Sequence, residues 1–288
     1  MHSKFADRIL LLAVAVIWGL NWPSVKFALR GFPVWTFRAI SFGGAALILV
    51  LAARSMGVSL RIEKAVDRVH LAVAGLFNTA GFGVLTAVAM LNTSTGRTAI
   101  CAYTMPIWVA LLGRVALGER LTTPRMVSLG LGSAGLLVLL WPLVATGIPI
   151  GAIVAIGSAI SWAVGTVYQK WAGVTAHLLA IAVWQLMAGV VAAAIGVLFA
   201  GIGPLTSVGA IPLLALVYTT VGGTAIAYLL WFQIVQRLPA GTAGLGTLLV
   251  PVVGVIASVV LLGEKPTHAD LVGFALIFVA AVVALRSA

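Results

Sequence analysis

Charge is scarce in this sequence. Only 8% of its 288 residues are Asp, Glu, Lys or Arg, against roughly a quarter in an ordinary soluble domain. With 62% hydrophobic residues and a mean hydropathy of +1.19, a water-soluble fold could not hide this much apolar surface, so the surface has to face lipid. The single cysteine, Cys101, excludes an intrachain disulfide and a cysteine-based metal site. No phosphate-binding glycine loop or metal-ligand cluster is visible, which argues against ATP drive and against any cofactor. The net charge of +11 suggests nucleic acid at first sight. Nucleic-acid binding would need a basic face interleaved with aromatics, whereas here the cations stand singly between apolar runs.

What is present is a succession of apolar runs near 20 residues, the length that crosses a bilayer. Ten are expected: 9–29, 33–53, 69–91, 96–117, 124–143, 150–171, 177–200, 210–235, 241–262 and 269–286. The first resembles a signal peptide, but it is long enough to span and no small-residue cleavage site follows, so it is read as a span. Glycines such as Gly130, Gly132 and Gly135 are expected to let helix backbones approach closely. Twelve of the seventeen lysines and arginines fall on the side of the N-terminus, and only Lys26, Arg30, Arg97 and Lys265 on the other, with Arg38 inside a span. The positive-inside bias then places both termini in the cytoplasm.

The segment "LLGRVALGERLT" (111–122) is echoed by "VVLLGEKPTHAD" (259–270). A shift of 145 lays Pro106 on Pro251, Gly96 on Gly241, Gly118 on Gly263, Glu119 on Glu264 and Arg120 on Lys265; a shift of 144 lays Trp18 on Trp162 and Lys26 on Lys170. The chain therefore reads as two copies of a five-helix unit, 1–147 and 148–288. Because five is odd, the second copy enters the membrane from the opposite side. The expected fold is all-α and integral to the membrane, ten transmembrane helices forming two inverted five-helix repeats, with a site near the midplane between the halves. The Gly-Glu-cation units are expected at helix ends: Gly118 and Gly263 stop a helix, Arg120 and Lys265 face its negative end, and Glu119 and Glu264 face the start of the next. Thr123 with Pro124, and Thr267 with Asp270, read as helix starts.

"WGLNWPSVK" (18–26), the proline and arginine of "PVWTFR" (33–38), "YTMPIWVALLGRVALGERLT" (103–122) and "VPVVGVIASVVLLGEKPT" (250–267) resemble the drug/metabolite transporter superfamily, EamA-type branch, over nearly the whole chain. The resemblance implies metabolite export through a central cavity lined by the first, third, fourth, sixth, eighth and ninth helices. The overall look is similar to bacterial aromatic amino acid exporters of this branch. The second copy departs from the pattern, because Gln185 stands where a counterpart of Arg38 is expected.

On the helices so implied lie Trp18, Asn21, Trp22, Asn78, Tyr103, Trp162, Thr224 and Tyr228, the candidate substrate-binding residues. Trp35, Trp108, Trp141 and Trp171 read instead as interfacial belt or lipid-facing residues. Asn78 and Asn21 also fit interhelical hydrogen bonds. Pro106 and Pro251 cannot donate to the carbonyls of Ala102 and Thr247, so they are candidate hinges together with Gly222 and Gly223. Arg38 fits snorkelling, bonds to backbone carbonyls or a grip on a substrate carboxylate; its place about one turn from the span's end favours a structural role. All six acids and all four histidines (His2, His70, His177 and His268) fall in loops or at helix ends, which leaves a neutral, aromatic site suited to an amphipathic solute. The expected function is an inner-membrane carrier, not an enzyme, exporting aromatic and other apolar amino acids down their gradient. Its partners are that small molecule and the lipid bilayer, with no nucleic acid, and the chain is read as a monomer. Broad drug efflux is the alternative substrate reading, and a channel or membrane enzyme the alternative class.

Overall fold

The computed structural model describes residues 4–93, 95–145, 150–203, 205, 208–262 and 268–286, and every regular element among them is helical. Helices are what a long apolar run must form in lipid, because no water is there to satisfy the backbone N–H and C=O groups. The first two spans are Lys4–Ala28 and Val34–Ser55. The third is Ala65–Gly75, a π-helical turn Leu76–Gly81, then Phe82–Asn92. The fourth breaks into Thr95–Ala102 and Met105–Ala116, and the fifth is Thr123–Ala145.

The second half repeats this series of interruptions. Ile150–Ala172 and Leu178–Ala200 are continuous. The eighth span is Ala210–Tyr218, a π-helical Thr219–Ile226 and Ala227–Arg237. The ninth breaks into Ala240–Gly246 and Leu249–Leu262, and His268–Arg286 follows. Among the described residues nine helices are long and apolar enough to cross a membrane, one fewer than the sequence leads one to expect. The last helix falls short because its described apolar stretch runs only from Leu271 to Ala284.

The spans pack mostly across the two halves: first on ninth, fourth on sixth, second on seventh and eighth, third on seventh, fourth on ninth, and fifth on the last helix. Exchanging each span for its counterpart in the other half returns the same set of pairs. Small residues make the close approaches. A Cβ on Gly19 would stand 2.5 Å from Val253 Cβ, one on Gly75 2.7 Å from Gln185 Cα, and one on Gly135 2.7 Å from the carbonyl oxygen of Gly273. Gly132 likewise faces Leu248, but Gly130 faces open space and so is not a packing glycine, contrary to its reading from sequence.

The outer surface is apolar, as lipid contact requires: Val115, Leu198 and Phe199 project outward, the last 90% exposed. Trp141 and Trp171 project outward as expected. Trp35 and Trp108 are half-buried and also make helix contacts. The Trp35 ring packs against Gly196 of the seventh span, and Trp108 donates its indole N–H to Thr104 Oγ1 at 3.2 Å.

At the Gly-Glu-cation turn, Gly118 adopts φ +66°, a left-handed conformation that ends the fourth span as expected. The Glu119 carboxylate, however, does not serve the helix that follows it. It accepts the backbone N–H groups of Ala240 and, at 3.0 Å, of Gly241, so it caps the start of the ninth span in the other half. Thr123 is already helical, and Pro124 occupies the second helical position. The matching unit at Gly263, Glu264, Lys265 and Thr267 lies outside the described residues, and the side chain of Asp270 does too.

Candidate functional site

Four rings from three spans meet at mid-depth. Trp18 lies near the middle of the first span and Trp162 near the middle of the sixth, and their centroids are 5.4 Å apart in an edge-on arrangement. Tyr228 and Trp231, on one face of the eighth span, complete the cluster. Tyr228 stands edge-on to Trp18 and Trp162 at 6.4 and 5.9 Å, and Trp231 lies tilted at 5.6 and 5.8 Å from the same two rings. These spacings are those of favourable quadrupole contacts. Trp22, one turn beyond Trp18, packs on Tyr103 at 5.6 Å.

A cavity lies against this cluster. Of the eight candidate binding residues, seven line it: Trp18, Asn21, Trp22, Tyr103, Trp162, Thr224 and Tyr228. Asn78 does not. It is fully buried in a seam between the third, sixth and seventh spans, where its Nδ2 donates to Gln185 Oε1 at 3.0 Å and Gln169 Oε1 at 3.4 Å. Its Oδ1 accepts from Thr166 at 3.3 Å, and Gln185 Nε2 donates to Gln169 Oε1 at 2.9 Å. Three carboxamides saturating one another in an apolar interior make a structural joint.

Arg38, whose place one turn from a span's end favours a structural role while leaving a grip on a substrate carboxylate open, has its side chain on the border of the cavity. Phe42, Phe82, Met105, Thr219 and Val250 also line the cavity, and Trp231 supports it from behind. The signal for Trp231 was available: it stands three residues after Tyr228, hence on the same helix face. Nothing in the sequence separates Phe82 from the other apolar residues of its span.

The hinge candidates behave in two ways. Both prolines follow a break, which moves them into the first turn of a new helix. Pro106 is the second residue of Met105–Ala116 and Pro251 the third of Leu249–Leu262, positions where a missing N–H costs no helical bond. The expected kink within a continuous helix is therefore a helix break. Threonines hold the breaks: Thr104 Oγ1 donates to the carbonyl of Cys101 and Thr247 Oγ1 to that of Gly244, at 2.8 and 2.7 Å. Gly222 and Gly223 lie inside the π-helical turn of the eighth span. Gly223 is the seat of a close approach. Trp18 Nε1 donates to its carbonyl at 3.1 Å, and a Cβ there would collide with Asn21 Oδ1.

On the face that carries the N-terminus, two polar contacts tie the halves together and a third joins the sixth and eighth spans within the second half. Asp7 pairs with Arg237 at 3.6 Å, Glu119 caps the ninth span, and Lys170 Nζ donates to the carbonyls of Val235, at 2.8 Å, and Leu238. They join the ends of the first, fourth, sixth, eighth and ninth spans. The cavity lies on the other side of the aromatic cluster, since Trp22, Arg38 and Tyr103 all fall in the halves of their spans away from that face.

The glycine pair gives a contrast to test. Gly223→Ala is expected to displace Asn21 and lower stability by about 1–3 kcal/mol, the usual cost of overpacking. Gly222→Ala meets only the Tyr218 ring at an ordinary 3.4 Å and is expected to leave the melting temperature unchanged. Thermal unfolding of the two variants in detergent measures the difference; equal melting points would remove Gly223 from the site.

Known proteins are similar over the full length. The model of the EamA-like transporter family matches residues 8–141 and again 149–286. An uncharacterized transporter of Bacillus subtilis, YvbV, is 28% identical over 95% of this chain and 90% of its own. A "Probable amino-acid metabolite efflux pump" of Escherichia coli is 24% identical over 94% of this chain and 92% of its own. A solved crystal structure superposes with a TM-score of 0.80 at 23% identity, covering 98% of this chain and 97% of that one. With two matched segments that take in nearly every residue, this chain belongs to the EamA-like transporter family, a multi-pass membrane transporter of the drug/metabolite transporter superfamily.

Proposed function

We propose that this protein is a carrier that exports aromatic and other apolar amino acids across a bacterial cytoplasmic membrane by alternating access. The observation that carries the reading is the aromatic cavity where the two halves meet. Its wall offers rings to an apolar side chain while Asn21 and Thr224 offer polar contacts. The name of the Escherichia coli relative, an amino-acid metabolite efflux pump, points to the same solute class.

The fold on this reading is ten spans in two inverted repeats, 1–147 and 148–288, working as a monomer. The repeated interruptions in the third and eighth and in the fourth and ninth spans support it, as does the self-consistent pairing of spans. Both termini lie in the cytoplasm, on the strength of the cation bias. The contacts of Asp7, Glu119 and Lys170 then form a cytoplasmic gate that is closed here, and the cavity belongs to the outer half. Alternating access opens that gate while the opposite ends close.

Transport is driven by the solute's own gradient. Among the described residues that line the cavity there is no carboxylate and no histidine, the groups that usually relay protons through a membrane. A zwitterion crossing alone carries no net charge, so voltage does not drive it.

Three measurements test this reading. Trp162→Ala and Tyr228→Ala should each weaken apparent affinity for phenylalanine roughly five- to tenfold in liposome flux, because a buried ring contact is worth on the order of 1 kcal/mol beyond its area. Unchanged flux at normal expression would reduce both rings to packing. For orientation, cysteines placed at Thr122 and His268 in a Cys101→Ala background should react with an impermeant thiol reagent from opposite sides, and reaction of both from one side would overturn the five-plus-five arrangement. As to energy, a pH gradient imposed at zero voltage should not concentrate the solute beyond equilibrium. Accumulation under that gradient alone would make the carrier proton-coupled.

A further inference from the structure

Among the described residues, Arg38 is the one charged side chain that borders the cavity. Four residues into the second span, it lies about 6 Å from that helix's start, at the end of the cavity away from the N-terminal face. Its neighbours leave the charge without a counter-ion. Among the described residues no carboxylate pairs with it. Nη2 donates to Thr86 Oγ1 at 3.3 Å, a neutral hydroxyl that itself lies against the carbonyls of Phe82 and Gly83 at 2.5 and 3.1 Å. The guanidinium carbon stands 5.6 and 5.7 Å from the rings of Phe37 and Phe42. Nε is buried with no hydrogen-bond partner.

A cation in this setting is costly unless an anion joins it. Packing alone does not call for a charge at this place. About one turn past the matching position in the counterpart span stands a neutral residue, Gln185, whose carboxamide bonds to Asn78 and Gln169. Three further unpartnered polar atoms belong to residues of the same wall, Asn21 Oδ1, the Tyr103 hydroxyl and Thr219 Oγ1. A guanidinium offers five fixed N–H donors in a fork that matches a carboxylate. Asn21 Oδ1, an acceptor only, suits an ammonium group.

We propose that Arg38 is a carboxylate-binding subsite at the outer end of the cavity, so that the solutes carried are those with a free carboxylate beside an apolar body. The inference rests on the amino acid carrier reading and narrows it, since amines and uncharged amphipathic drugs lack the group that Arg38 holds. Arg38 sets specificity; the rings of Trp18, Trp162 and Tyr228 supply the apolar contact.

The test compares three probes that share one ring: phenylalanine, phenylalaninamide and 3-phenylpropanoate. Binding is read by tryptophan fluorescence on the purified full chain, and melting temperature is recorded for each variant. Wild-type protein should bind phenylalanine and 3-phenylpropanoate at least about tenfold tighter than the amide, the scale of a charge-assisted hydrogen bond. Arg38→Gln should erase that preference while leaving amide affinity unchanged, and Arg38→Lys should keep part of it. Equal binding of acid and amide by wild-type protein overturns the subsite without any variant, and so does an equal loss of all three probes in Arg38→Gln. If the amide binds and 3-phenylpropanoate does not, the carrier reading stands and the subsite falls. If none of the three binds wild-type protein, the aromatic solute reading fails and the subsite with it.

Discussion

Inside a bilayer, a peptide group that leaves the helical hydrogen-bond pattern must find another partner, because water is absent. Most of this chain obeys by staying helical. The departures are few: π-helical turns at Leu76–Gly81 and Thr219–Ile226, and breaks ahead of Pro106 and Pro251. Three of these four stretches contribute residues to the cavity wall. At the breaks, threonine hydroxyls bond to the carbonyls that the turn exposes. In the eighth span the Gly223 carbonyl takes its bond from Trp18, so the side chain that builds the cavity also stabilises the backbone beside it. Irregular backbone is tolerated because it faces the site.

The two halves share a plan and differ in chemistry. Trp18 and Trp162 correspond and meet edge-on across the junction, which is why a contact between halves builds the floor of the cavity. The polar residues early in the second and seventh spans differ: Arg38 borders the cavity and Gln185 closes a buried network of carboxamides. A cavity built from two equal halves would be equally lined from either side. Here the second span brings a charge to the end of the cavity away from the N-terminal face and the seventh contributes a neutral buried network, so the site has a polarity that the scaffold alone would not give.

The polar contacts on the N-terminal face explain what scarce charge is doing in this chain. Glu119 spends its carboxylate on the first N–H groups of the ninth span, and Lys170 its ammonium on the last carbonyls of the eighth. Both use helix-end partial charges in the opposite half of the chain or in a neighbouring span.

Depth was legible in the sequence. Apolar run lengths located the nine long apolar helices among the described residues to within a few residues, the duplicated Gly-Glu-cation motif pointed to an internal repeat, and seven of eight candidate residues do line the cavity, because wide aromatic and polar side chains are rare at mid-span and conspicuous when present. Azimuth was not legible. Lipid tails and a packed helix seam are equally apolar, so hydropathy cannot say whether a side chain at a given depth looks outward, into a neighbour or into the cavity. That is why Asn78 went to a structural seam, Arg38 to the cavity and Trp35 and Trp108 to helix contacts, and why the partner of Glu119 lies 121 residues away. The sequence by itself determined a helical membrane protein with an internal repeat and an aromatic middle. Which faces of those helices meet was decided only by tertiary packing, since shape and hydrogen-bond saturation, rather than apolarity, distinguish one helix face from another in lipid.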